Sequence, residues 1–137
     1  MAAPNIAASP PPLDRPLIAC VVAGGMIGTF VRALLAASWT AGAAHWPWPT
    51  FTANLLGAAL LGAVVASTAR TSRWHSLLGT GVCGGLTTFS TMQLEVLRML
   101  DVGATELAIT YATASVVLGI AAATAAARLT SRRRANR

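Results

Sequence analysis

Apolar positions run through this sequence in long stretches, and most of the charged positions are gathered between or beyond them. Four apolar segments stand out, at roughly 17–39, 50–68, 74–100 and 104–129. Each reaches the ~20 residues that a helix needs to cross the hydrocarbon core of a bilayer. The connections between them are short: TAGAAHWPWP, ARTSR and DVG. The pattern predicts an all-α integral membrane protein with four transmembrane helices. Trp39, Trp46, Trp48 and Trp74 fall at segment ends, where indole rings favour the headgroup layer; a tryptophan cage around a ligand is the other reading. Residues 1–16 are proline-rich and lack a basic start before an apolar run, so they read as a disordered cytoplasmic lead-in, not a signal peptide. Residues 130–137 read as a basic tail, leaving 17–129 as the membrane domain.

Composition narrows the class further. Of 137 residues, 55% are hydrophobic and only 10% are charged, against about 25% charged in a typical soluble domain. Too few charges exist to cover a water-soluble globule, which excludes most cytosolic enzymes. No paired carboxylates, metal cluster or nucleophile–base pair appears, so an enzyme is not expected. The formal charge is +6, and every basic residue is an arginine. Four of the ten arginines lie in the last six residues, with Arg128 just before them. Beside an apolar stretch, a basic tail of this kind rests on anionic lipid headgroups, and without interleaved aromatics it does not suggest nucleic acid. Cys20 and Cys83 sit in apolar runs and read as small buried hydrophobes.

Four spans place both termini on one side. That side collects Arg15, Arg70, Arg73, Arg128, Arg132, Arg133, Arg134 and Arg137, against Arg32 and Arg98 on the other. The positive-inside tendency puts the side with eight arginines in the cytoplasm. Small residues at close-contact spacing recur within the spans: Gly24 and Gly28, Gly57 and Gly62, Ser115 and Gly119. Such steps let helix backbones approach. Four thin helices enclose little space, so any pathway calls for an oligomer.

The polar residues inside the apolar runs carry the chemistry. In the third segment, Gly84-Gly85 is a helix stop signal and Thr87 or Thr88 a helix start. Together they predict a helix broken near mid-membrane. A break there frees backbone carbonyls that attract a cation and N–H groups that favour an anion, which points to ions. Asn54 shares a helix face with Thr50 and Gly57. It is either an interhelical hydrogen bond or an amide donor lining an anion path, and spacing does not choose between them. Phe89 and Met92 lie three apart beside Thr88, Ser90 and Thr91. A Phe ring edge carries partial positive charge, although packing is the commoner fate of such residues. Tyr111, Ser115 and Gly119 form a stripe on the fourth span. Glu95 lies near the membrane edge, as a surface carboxylate or a vestibule group.

The strings Gly24-Gly25-Met26-Ile27-Gly28-Thr29-Phe30-Val31-Arg32, Thr50…Asn54…Gly57 and Gly84-Gly85-Leu86-Thr87-Thr88-Phe89-Ser90-Thr91 occur in one order. Together they resemble the Fluc (CrcB) fluoride channels over about residues 17–129. The resemblance implies passive fluoride export through an antiparallel, dual-topology homodimer in the bacterial cytoplasmic membrane, relieving fluoride toxicity. It also implies two fluoride pathways and a structural Na⁺ at the dimer centre, held by backbone carbonyls of Gly84 and Thr87. By the same resemblance Asn54 is a pore asparagine and Phe89 a pore phenylalanine. Thr50, Ser90, Thr91, Tyr111 and Ser115 then fall at polar pathway positions, and Arg32 and Glu95 at vestibule and conduction-linked positions. Two departures stand out: Met92 occupies the place of a second phenylalanine, and Ala33 stands where an aromatic often follows the arginine. The arginine bias is awkward for a chain that inserts both ways, so pairing with an oppositely oriented paralogue is an alternative to the homodimer. A proton-coupled small multidrug exporter also has four spans but needs a carboxylate in an early span, and the first two contain none. A non-conducting scaffold subunit is the remaining alternative.

Overall fold

The computed structural model describes residues 14–39 and 42–136; most of the proline-rich lead-in, residues 1–13, lies outside them. The described chain is all helical. Helix α1 spans Arg15–Ser38 and α2 spans Trp48–Ser67, each with a proline in its first turn, where a missing N–H costs nothing. The third apolar segment is not one helix. It opens with a wide-turned π-helical stretch, His75–Cys83, which runs into a single α-turn, Gly84–Leu86; the two together are α3. Helix α4 spans Phe89–Asp101 and α5 spans Thr105–Ala135. Helices α1, α2 and α5 are each long and apolar enough to cross a membrane. At about 1.5 Å per residue, the 31 residues of α5 reach about 46 Å. The helix therefore continues through the arginines of the expected tail.

The expected break is present, but not where glycine suggested it. Gly84 is helical at φ −65°, ψ −36°, and the chain leaves the helix only at Thr87 (φ −79°, ψ 150°) and Thr88 (φ −149°, ψ 118°). The glycines serve close packing instead. A Cβ on Gly24 would strike the Leu77 carbonyl, one on Gly28 the Val82 carbonyl, and one on Gly85 the Gly25 carbonyl. Helices α1 and α3 thus meet backbone to backbone along two facing glycine steps. Because Gly24 lies against Leu77–Val82 and Gly28 against Val82–Leu86, the two run parallel.

The second helix pair is built the same way. Gly62 of α2 abuts the backbone of Ala123 on α5, and Gly57 takes the methyl group of Thr87. The Arg134 guanidinium reaches the Ala66 carbonyl at 3.4 Å, so α2 and α5 also run parallel and end on one side. Gly119 has open space beside it, so the Ser115–Gly119 step is not a packing step within the protomer. Phe51, Met92, Met99, Ala108 and Tyr111 form the buried core where α2, α4 and α5 meet. Between α4 and α5, Gly103 at φ 78° lets Ala104 N–H reach Met99 O (2.8 Å) and Gly103 N–H reach Leu100 O (3.0 Å). This is a Schellman stop, and it favours glycine at the left-handed position. Trp39, Trp48 and Trp74 are exposed at helix ends. Trp46 instead packs edge-on against Phe51 and Tyr111, at centroid distances of 5.3 and 5.4 Å.

Candidate functional site

The site starts from the two extended residues of the break. Peptide groups that leave a helix inside a membrane must find other partners, and Asn54 supplies them. Its Nδ2 donates to the Thr88 carbonyl at 3.1 Å, and the Thr88 N–H donates to its Oδ1 at 2.7 Å. One side-chain amide therefore holds both polar groups of one peptide residue, 34 positions away. The Thr88 hydroxyl caps α4 by accepting from the Thr91 N–H (3.2 Å) and donates to the Thr91 hydroxyl (2.9 Å). The Thr87 hydroxyl donates back to the Cys83 carbonyl at 2.8 Å, closing the end of α3.

A cavity of about 320 Å³ opens at this point, lined by Asn54, Thr88, Phe89, Ser115 and Gly119 among others. Asn54 keeps one amide N–H beyond the bond to Thr88. The Ser115 hydroxyl is buried and has no partner, and an unpaired polar group in such a place is costly unless a ligand or water meets it. Phe89 is 68% exposed, so its ring contributes little to the protomer core. Ser90 is exposed beside it. The walls thus combine amide and hydroxyl donors with an aromatic ring, a set that suits a small anion stripped of water.

A second polar group lies further along α4. The Glu95 carboxylate accepts from the Thr50 hydroxyl at 2.6 Å and from the Tyr111 hydroxyl at 2.7 Å. It thereby joins α2, α4 and α5 above the core. A cavity of about 450 Å³ lies over it, lined by Thr50, Thr91, Glu95, Arg98 and His45 among others. Ser115 lines the first cavity, and Tyr111, one helical turn before it on α5, is fully buried and reaches the second only through its hydrogen bond to Glu95. Arg32 donates from Nε to the Gly85 carbonyl at 3.1 Å, which ties α1 to the end of α3.

The break also bears on a cation. Thr88 N–H is given to Asn54, so the Gly84 carbonyl loses the donor that would close the next helical turn. Thr87 is extended, and its carbonyl lies outside any helical ladder. Gly84 is exposed on the protomer surface. Two released carbonyls near such a surface are the oxygen donors that a hard cation takes, so these residues fit the structural Na⁺ that the sequence resemblance implies.

Among the sequence candidates, Asn54, Phe89 and Ser115 share one cavity, and Thr50, Thr91 and Glu95 share the other. Met92 joins neither. It is 6% exposed and packs in the core with Phe51 and Tyr111, so it does not share the open side of Phe89 despite the three-residue spacing. Sequence reasoning missed the clamp on Thr88, because a contact across 34 residues has no local signal. It also counted Arg98 only as a charge and did not weigh His45; the two meet at one cavity only through the fold, and about fifty residues separate them in the sequence.

Comparison with known proteins adds an independent line. Residues 19–127 match the model of the family described as CrcB-like protein, Camphor Resistance (CrcB). The chain is 46% identical over 109 residues to a protein of Mycobacterium bovis named fluoride-specific ion channel FluC 1, covering 77% of this chain and 83% of that protein. It is 44% identical over 124 residues to a protein of the same name from Mycolicibacterium paratuberculosis, covering 88% and 94%. A fluoride-specific ion channel FluC of a Caulobacter species is 41% identical over 108 residues, covering 74% and 84%.

Proposed function

Because this chain belongs to the CrcB (FluC) family of fluoride-specific ion channels, we propose that it conducts fluoride passively out of the cytoplasm along the donor-lined cavities flanking α4. The observation that carries this reading is the convergence of Asn54, the unpaired Ser115 hydroxyl and the Phe89 ring on one cavity beside the broken helix. Fluoride is small and tightly hydrated. Only close N–H and O–H donors replace its water, and a low-dielectric wall strengthens each such bond. The path runs from that cavity past Thr88 to Thr91, whose hydroxyl accepts from Thr88 and keeps its own proton for the anion, and on to the outer cavity, where Thr50 and the buried Tyr111 hold Glu95 in place. Ser90 lies at the exposed entrance beside Phe89.

The roles divide between holding and binding. Asn54 positions Thr88 through two hydrogen bonds and offers its remaining N–H to the anion. Arg32 positions the end of α3 through the Gly85 carbonyl. Glu95 orients the Thr50 and Tyr111 hydroxyls, both of which donate to it. Met92 supports α4 from the core in place of a second pore ring, which leaves Phe89 as the ring at this level. The α3–α4 segment completes a fourth span, crossing as two half-helices. Outside the protomer, the exposed faces of α1 and of Phe89–Ser90 suit an antiparallel partner, either a second copy or, given the arginine bias, an oppositely inserted relative. Gly84 and Thr87 from each chain would then hold one Na⁺ at the centre, which supplies positive charge to join the released carbonyls. The cytoplasmic membrane of a bacterium is the setting this implies.

The test is fluoride efflux from liposomes holding the purified protein, with chloride as the control. Fluoride release well above empty vesicles, with chloride retained, is expected. No fluoride release sinks the reading and favours a scaffold subunit; equal chloride release sinks it as well, by showing an unselective conductor. Crosslinking the same preparation asks about the partner: a functional homodimer removes the need for a paralogue.

A further inference from the structure

The outer cavity has one cation whose role is unassigned. Thr91, Glu95 and Arg98 follow one another at four- and three-residue steps, on one face of α4, and all three line the cavity of about 450 Å³. The hydrogen bonds of Glu95 run to Thr50 and Tyr111 and not to Arg98, which leaves the guanidinium donors free for the cavity. The Arg32 guanidinium is engaged with the Gly85 carbonyl, at the break and away from this mouth. His45, from the α1–α2 connection, lines the same cavity and adds ring nitrogens to the wall.

The geometry points to Arg98 as the residue that stabilises fluoride at the outer mouth, raising anion occupancy in front of Thr50 and Thr91. A permanent positive charge there offsets the carboxylate of Glu95, which alone would repel an anion from this mouth. A cleft lined by charge between low-dielectric walls focuses its field and raises the local concentration of the opposite ion. This inference rests on the fluoride-channel reading and assigns one residue a role within it. The competing role for Arg98 is structural: it sits in the last turn of α4, where a cation stabilises the helix C-terminus.

Ionic strength separates the two roles. The initial fluoride efflux rate is compared for wild type, Arg98→Gln and Arg98→Lys in neutral phosphatidylcholine liposomes, where lipid charge adds no surface potential. At about 10 mM ionic strength the Debye length is ~30 Å and at about 1 M it is ~3 Å. Loss of one charge about 8 Å from the path through water lowers anion occupancy roughly twofold. The expected result is an efflux rate about twofold lower in Arg98→Gln at 10 mM, equal to wild type at 1 M, and restored by Arg98→Lys. Size-exclusion profiles and melting temperatures taken alongside identify a merely structural effect. A rate loss that is the same at both ionic strengths, or no loss at 10 mM, overturns the role of Arg98 while wild-type efflux leaves the channel reading standing. Absence of fluoride efflux from the wild type overturns both.

Discussion

At the scale of residues, Asn54 shows why local spacing left two readings open. Its amide is engaged through Oδ1 and one N–H by the backbone of Thr88 and is also part of a cavity wall. Interhelical bond and pathway donor are therefore compatible roles of one group. The sequence placed Asn54 on the right face of α2, but which polar atoms it meets depends on how the broken segment returns past it. Asn54→Asp keeps an acceptor for the Thr88 N–H, sets a lone pair against the Thr88 carbonyl, and adds a negative charge to an anion path. At about 4 Å and an effective dielectric near 20, like charges repel by about 4 kcal/mol, or roughly a thousandfold in occupancy. Fluoride efflux from Asn54→Asp should fall to the level of empty vesicles. Phe89→Ile is the complementary case. Phe89 is largely exposed in the protomer, so replacing it should change the melting temperature little, while removing the partial positive charge of the ring edge from the path. Efflux should drop several-fold or more, with an unchanged size-exclusion profile; unaltered efflux would count against a ring-lined path.

At the scale of elements, the four apolar segments and the broken third one were legible, because hydrophobic length and helix-start chemistry are local properties. Thr88 caps α4 as its type and position predict. The π-helical turns of His75–Cys83 were not legible, since an i→i+5 ladder has no side-chain code. The misreading of Gly84-Gly85 as a stop has a physical cause as well. Glycine that ends a soluble helix adopts the left-handed conformation, whereas here α1 at backbone distance requires the missing Cβ of Gly85, and Gly84 before it stays helical with open space beside it. This yields a contrast between a glycine in backbone contact, Gly85, and one beside open space, Gly119. Gly85→Val would drive a side chain into the Gly25 carbonyl and the Thr29 N–H, separating α1 from α3 and losing the Arg32 bond to Gly85. Overpacking of this kind costs about 1–3 kcal/mol or more. Its melting temperature should fall by several degrees, with aggregation on size exclusion. Gly119→Ala meets nothing within the protomer, and its protomer stability should match wild type. Any loss of fluoride efflux in that variant then reports on the cavity it lines, separately from folding.

At the scale of the whole molecule, the two parallel helix pairs turn the arginine count into a statement about shape. Helices α1 and α3 start at one end of the protomer, and α2 and α5 finish there. Arg15, Arg70, Arg73, Arg128, Arg132, Arg133 and Arg134 therefore gather at a single end, while Arg98 lies towards the other. The continuation of α5 to Ala135 carries three of these arginines on a rigid helix against the end of α2, so they act at a fixed distance from the membrane surface. Each basic residue near an anionic leaflet is worth about 1 kcal/mol, and short-loop arginines set orientation. A chain with this asymmetry is expected to insert predominantly with its arginine-rich end in the cytoplasm. The expectation bears directly on the antiparallel partner, because a uniformly oriented chain finds no inverted copy of itself. Single cysteines in the α1–α2 connection and after α5, in a background lacking Cys20 and Cys83, allow each side to be labelled in intact cells with a membrane-impermeant thiol reagent. Wild type should label almost only in the α1–α2 connection, and Arg132→Gln/Arg133→Gln/Arg134→Gln should label at both positions. If that charge-reduced chain also yields more crosslinked homodimer and more fluoride efflux than wild type expressed alone, orientation limits assembly, and the natural partner is an oppositely inserted relative. Equal labelling of both sites in the wild type would show instead that the arginine-rich end does not commit the chain. A homodimer would then need no second gene product.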